Sequence, residues 1–168
     1  YLPKGAEPAI DRDGKISFPV GTALIKSFGY YDATGKLDIV ETRLRLHRQN
    51  GWVALPYVWR LDHKEADLRV GGTRVPASFK APRGNLYSIS YAVPNKNQCK
   101  QCHSAKDAIL PIGPMLQNMV FDKPADRTRL LTNARLSAAA PLPEAAWDDP
   151  KAKLADRTQS YLRVNCGH

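Results

Sequence analysis

The sequence predicts an α+β fold, strands first and helices after. Three observations carry that reading. Apolar and polar residues alternate with period two from about residue 16 to 93, turn residues punctuate the alternation, and after Pro94 the pattern gives way to short helical segments with proline-rich connections. The alternation predicts one antiparallel sheet of about five strands over residues 16–93.

Residues 22–30 form the first clear run. In 38–47, Val40, Leu44 and Leu46 share one face while Glu41, Arg43, Arg45 and His47 share the other, which is either solvated or lines a polar pocket. Residues 52–59 follow across Asn50-Gly51, a dipeptide that favours a tight turn, so these two runs read as a hairpin. Pro56 within the second run points to an edge or a bulge, because proline cannot donate to a ladder. Residues 74–79 and 85–93 add further strands, the latter with Tyr87, Ile89, Tyr91 and Val93 on one face. Helical segments are expected at 97–106, 115–120, 124–136 and 153–165, with 137–150, containing Pro141, Pro143 and Pro150, as a linker wrapping back over the body.

The 168 residues, 43% hydrophobic and 24% charged, suffice for a domain with its own core. No apolar run approaches the roughly eighteen residues of a membrane-spanning helix, so no membrane span is expected. The chain begins at Tyr1, which fits a processed polypeptide whose export signal lies upstream. Twenty-five Lys+Arg against sixteen Asp+Glu give a formal charge of +9, a field that speeds encounter with an acidic partner. The basic residues are scattered and form no nucleic-acid-binding signature, so a nucleic-acid partner is not expected.

Three cysteines are present, and two of them stand in Cys99-Lys100-Gln101-Cys102-His103. This is the attachment pattern of a c-type haem. On a helical turn, thiols three apart face one side and can add to the two vinyl groups of one haem, and the next imidazole falls under the iron as proximal ligand. A thioredoxin-like pair should open a helix within a βαβ unit, and a zinc site needs a second ligand pair at matching spacing; neither is found. The expected cofactor is therefore haem c, one within this chain, with the short helices gathered around it. Such attachment places the protein in the periplasm or another extracytoplasmic compartment.

Eleven positions after His103, Ile112-Gly113-Pro114-Met115-Leu116 resembles the Gly-Pro loop of mitochondrial-type cytochromes c. By that resemblance the Pro114 carbonyl accepts the imidazole N–H and raises the basicity of His103; a plain proline turn is the alternative. For the distal position the candidates are Met119, Met115, His63 and His47, or no protein ligand at all.

Four segments, at 18–26, 41–44, 51–59 and 93–99, resemble a family of bacterial dihaem c-type cytochromes, and the resemblance covers about residues 18–168. That family continues through Pro111-Ile112-Gly113-Pro114 to a second haem motif. Here Asn165-Cys166-Gly167-His168 looks like its beginning, so Cys166 is either the first thioether of a second haem completed by further residues or a free thiol. His168 would be a middle residue of that motif and not its ligand. The resemblance implies a β-sheet plus haem-binding domain over 1–150 and the start of a second cytochrome c-like domain over 151–168. A fainter resemblance is to the lysine-crosslinked, hydroxylamine-oxidising cytochromes and the gas-binding β-sheet cytochromes c-prime, whose sheet covers a five-coordinate iron. Their crosslinking lysine is not matched by Lys26, Lys64 or Lys80.

Two function classes follow. In the first, the protein carries electrons, does no bond chemistry and is not an enzyme; its basic surface docks a redox protein with an acidic face. In the second, it is a haem enzyme or gas-binding protein with an open distal site. The sequence favours the first, because it offers no concentrated set of acid/base residues. A structural haem domain within a larger redox complex is a third reading.

Overall fold

In the computed structural model, all residues are described except 12–13, 82, 106–107, 112, 116–118, 120–122, 124, 126–127, 129–131, 133–144, 146–148 and 167–168. The strands are β1 (Ala9–Ile10), β2 (Ile16–Ser17), β3 (Ala23–Tyr31), β4 (Leu37–Arg48), β5 (Gly51–Trp59), β6 (Ala66–Leu68), β7 (Thr73–Lys80), β8 (Leu86–Val93), β9 (Ser104–Ala105) and β10 (Ala108–Ile109). Two helices are described, α1 (Lys96–His103) and α2 (Leu154–Cys166). The chain divides into two compact units, one of Tyr1 with Gly21–Leu110, the other of Leu2–Val20 with Pro111–His168.

The first unit is built on a four-stranded antiparallel sheet in the order β3-β4-β5-β6. β4 and β5 join across Asn50-Gly51, and Leu44 lies opposite Leu55. Because β6 pairs only with Tyr57, Val58 and Trp59, Pro56 lies where β5 has a strand on one side alone. The β3–β4 register shifts between Phe28 and Gly29, where Val40 is the extra residue in β4. A Cβ on Gly29 would lie 2.5 Å from the Asp38 carbonyl oxygen, so only glycine admits that approach.

β7 and β8 form a separate two-stranded sheet. Aromatic contacts tie this hairpin to β3: Tyr30 stacks on Phe79 at 5.1 Å between ring centroids and meets Tyr91 edge-on at 6.0 Å. Such pairs contribute about 0.5–1.5 kcal/mol each beyond the area they bury.

The side chains of β4 partition in an unexpected way. Directly opposed residues share a face, so Arg43, Arg45 and His47 lie on the side of Pro56, Ala54 and Trp52. That row of β5 is buried, whereas Ile25, opposite Leu44 on the other face, is 67% exposed. The charged face of β4 is therefore the covered face, the second of the two readings its alternation allowed.

In the second unit, β1 and β2 form a small antiparallel pair. Ile16 is buried, and its N–H donates to the Pro114 carbonyl at 3.1 Å. α2 appears where residues 153–165 were expected to be helical, and the Thr158 hydroxyl donates to the Leu154 carbonyl within it.

The α+β expectation is corrected by this architecture. The described chain is predominantly β, its main strands fall into two sheets where one of about five was expected, and short helices do not wrap a central group. Helix α1 stops at His103 and gives way at once to the β9–β10 pair, so the helical character read after Pro94 lasts only two turns there. The local cause is that Ser104 and Ala105 find strand partners in Ile109 and Ala108. The helices expected at 115–120 and 124–136 and the linker at 137–150 lie largely outside the described residues. No helix among the described residues is long and apolar enough to cross a membrane.

Candidate haem-attachment site

Helix α1 carries the Cys99-to-His103 segment, and the fold takes care over where it begins. Pro94 ends β8's run, and Asn95 and Gln98 form a reciprocal cap: the Gln98 N–H donates to Asn95 Oδ1 at 2.9 Å and the Asn95 N–H to Gln98 Oε1 at 2.9 Å. A second anchor comes from the turn before β7, where the Lys96 N–H donates to the Val70 carbonyl at 3.1 Å. Gly72 has φ +74, and a Cβ there would lie 2.9 Å from the Asn95 nitrogen, so glycine lets this turn close against the helix start. An eight-residue helix is too short to persist alone, and these contacts supply what its length does not.

Cys99 is buried with a free thiol, and the three-residue spacing sets positions 99 and 102 on one side of α1. His103 closes the helix. Its Nδ1 lies 3.2 Å from the Leu110 carbonyl oxygen and its Nε2 lies 2.5 Å from a guanidinium nitrogen of Arg45. A carbonyl can only accept and a guanidinium can only donate, so the two partners fix one neutral tautomer, with the proton on Nδ1 and the lone pair on Nε2. Leu110 is close because β9 and β10 pair antiparallel, and the Leu110 N–H donates to the His103 carbonyl at 2.6 Å; Arg45 comes from β4.

The orienting carbonyl is thus that of Leu110, where Pro114 was expected. The chain turns back at 104–109 before it reaches Pro114, whose carbonyl receives the Ile16 N–H. Met115 bridges to Lys15 by backbone pairing in the second unit, to which Met119 also belongs. His47 shares the covered face with Arg45 and stacks on Trp52 at 4.5 Å between centroids. His63 stands far from this place: its Nε2 lies 3.3 Å from Asp38 Oδ1, beside a cleft of about 540 Å³ lined in part by Trp59, Arg60 and Asp67. Seven steps along β4 lead from Asp38 to Arg45, about 23 Å at roughly 3.3 Å per step, so the fold does not bring His63 to His103. Cys166 is the last residue of α2, and His168 lies outside the described residues.

Sequence reasoning missed the residues that β4 brings to α1. Glu41 is fully buried and accepts from Arg43 Nε at 2.6 Å, from Arg43 NH2 at 3.0 Å and from the Tyr91 hydroxyl at 2.6 Å. Burial and the bond to Glu41 push the Tyr91 hydroxyl well above the ordinary tyrosine range. The Arg43 guanidinium lies over the Phe28 ring at 4.2 Å. Burial and the neighbouring Arg43 charge hold Arg45 below the usual arginine range, and Cys99 lies within electrostatic reach of both guanidiniums. The period-two pattern had marked this row, but nothing local reveals that Arg45 meets a histidine 58 residues away.

The donor set fits a covalently attached haem, with two cysteines at attachment spacing on one helix and an imidazole whose Nε2 lone pair is presented by a carbonyl behind it. No family model, curated protein or solved structure matches this chain.

Proposed function

We propose that the chain is a c-type cytochrome of the bacterial dihaem kind, carrying electrons through a haem c held by Cys99, Cys102 and His103. One observation carries this reading: at the end of the helix that bears both cysteines, His103 has its proton on Nδ1, held by the Leu110 carbonyl, and its lone pair on Nε2, where Arg45 now donates and an iron would bind. When bound, haem c supplies a one-electron ferric–ferrous couple. The chain's own residues do the rest. Cys99 and Cys102 would hold the group on α1, the Leu110 carbonyl accepts a hydrogen bond from Nδ1–H and makes the imidazole a stronger donor, and Arg45 would have to give up its bond to Nε2 for the lone pair to be used. The +9 charge favours an acidic redox protein as partner, in an extracytoplasmic compartment.

A second reading has its own support. The Nε2 lone pair faces Arg45 in the covered, charged row of β4, so that row would supply polar side chains close to a group held by His103. Such a polar cover suits a small bound molecule, as in a gas-binding protein or a haem enzyme. A ferrous optical spectrum separates the two. Sharp α and β bands unchanged by carbon monoxide support the electron carrier, and a spectrum that shifts on adding the gas supports the open site. Absence of any haem spectrum after expression with haem-attachment machinery would remove both.

A further inference from the structure

The rows of β3 and β4 that share the face of Arg43 and Arg45 hold more positive charge than the fold neutralises. Lys26, Arg43 and Arg45 lie there with Glu41 as their carboxylate. Arg43 uses that carboxylate fully, through two hydrogen bonds. Arg45 donates to the uncharged His103 Nε2, and the Lys26 ammonium lies over the Phe28 ring at 5.1 Å; among the described residues neither meets an acid. Lys26 stands directly opposite Arg43, which puts it diagonal to Arg45 at about 7–8 Å between Cα atoms. The two cations are close enough to repel. Nearby, Thr22 is 1% exposed, its carbonyl accepts from the His47 N–H, and its hydroxyl has no hydrogen-bond partner. Arg45 is half-buried and Thr22 buried, with the exposed Lys26 at their edge, and a guanidinium without an acid beside an orphaned hydroxyl costs stability unless something answers it.

The geometry points to Lys26 and Arg45 as a paired-cation site for one carboxylate-type oxyanion, beside His103 and with Thr22 at its margin. The guanidinium fork grips a planar carboxylate by two parallel bonds, and the lysine adds a compact charge from the more exposed side. The anion has two sources, a propionate side chain of the haem or a small free oxyanion. The first of these alone rests on the function proposed above.

Formate is the probe, titrated against chloride at constant ionic strength. Binding is read from the rise in unfolding midpoint and from the line width of carbon-13-labelled formate. Saturable binding is expected, weakened at least about tenfold in Lys26→Met and in Arg45→Gln, since each removes a charge-assisted bond, and unchanged in Arg60→Gln. Arg45→Lys, which keeps the charge and loses the fork, should bind at an intermediate level and guards against a folding defect in Arg45→Gln. If the haem-loaded chain binds formate, the site takes a free anion. If it does not, but the Cys99→Ala, Cys102→Ala chain does, the propionate holds the site. No saturable binding in either form, or equal binding in the Lys26 and Arg45 variants, overturns the proposal. Haem content is read separately by the pyridine haemochrome spectrum, so a haem-free chain that binds formate through these residues removes the haem reading and leaves the anion site standing.

Discussion

The four-stranded sheet carries two arginine–carboxylate clusters of similar chemistry and opposite setting. At Glu41, a carboxylate with no exposure takes both Arg43 donors and the Tyr91 hydroxyl. At Asp67, Arg60 and Arg69 converge on a carboxylate that is 36% exposed, and Arg60 also pairs with Glu65. Among the described residues, hydrogen-bond counts alone would not favour Glu41, which accepts three where Asp67 accepts four. Burial separates them: water solvates whatever is left unpaired at Asp67, while at Glu41 a missing partner leaves a charge in a covered region that water reaches poorly. Stability is therefore expected to respond to one cluster and hardly to the other.

The sharpest way to break this contrast is Glu41→Gln. It strands Arg43, which is 22% exposed, and should cost about 3 kcal/mol in urea unfolding, the low end for breaking a buried pair because some water reaches the guanidinium. An unchanged midpoint would make the two clusters equivalent after all. Tyr91→Phe should cost less, about 1.5 kcal/mol, since it removes one bond to a charged acceptor that Arg43 still satisfies. It also has a pH signature. The folded state holds the Tyr91 proton above the ordinary tyrosine value of 10.0 while the unfolded chain releases it there, so this contribution is intact below that pH and declines as pH rises past it. Absorbance titration should show one of the seven tyrosines ionising late, and Tyr91→Phe should abolish that fraction.

Asn95→Ala sits between the extremes, because the reciprocal cap it destroys is local and partly solvated. About 1 kcal/mol is expected, with hydrogen exchange faster in α1 than elsewhere. Asp67→Asn should leave the unfolding midpoint within error, and any difference at low salt should vanish at high salt.

How much of this was legible beforehand follows from what is local. Alternation located β3, β4, β5, β7 and β8 to within a residue or two, because side-chain period depends only on neighbours. It could not say which face of β4 is covered. β5 is apolar on both faces, Trp52 and Ala54 on one and Val53 and Leu55 on the other, so the partner strand gave no vote. Nor could it foresee two sheets. β6 is three residues long, and the chain leaves the first sheet through Arg69–Gly72, where Gly71-Gly72 marks a turn but not a change of sheet. The Cys99-Lys100-Gln101-Cys102-His103 segment was readable because its chemistry is written in five consecutive residues. Arg45, Leu110 and Tyr91 were not, because their partners lie 58, 7 and 50 positions away and only the fold joins them.

The account turns on covalent attachment at α1. Intact-mass spectrometry of the chain, expressed in an extracytoplasmic compartment with haem-attachment machinery and then denatured in acid–acetone, tests it most directly. The mass of one haem should remain on the chain and be absent from the Cys99→Ala, Cys102→Ala variant. Haem that washes free of the native sequence, or a variant that retains it covalently, would contradict the assignment.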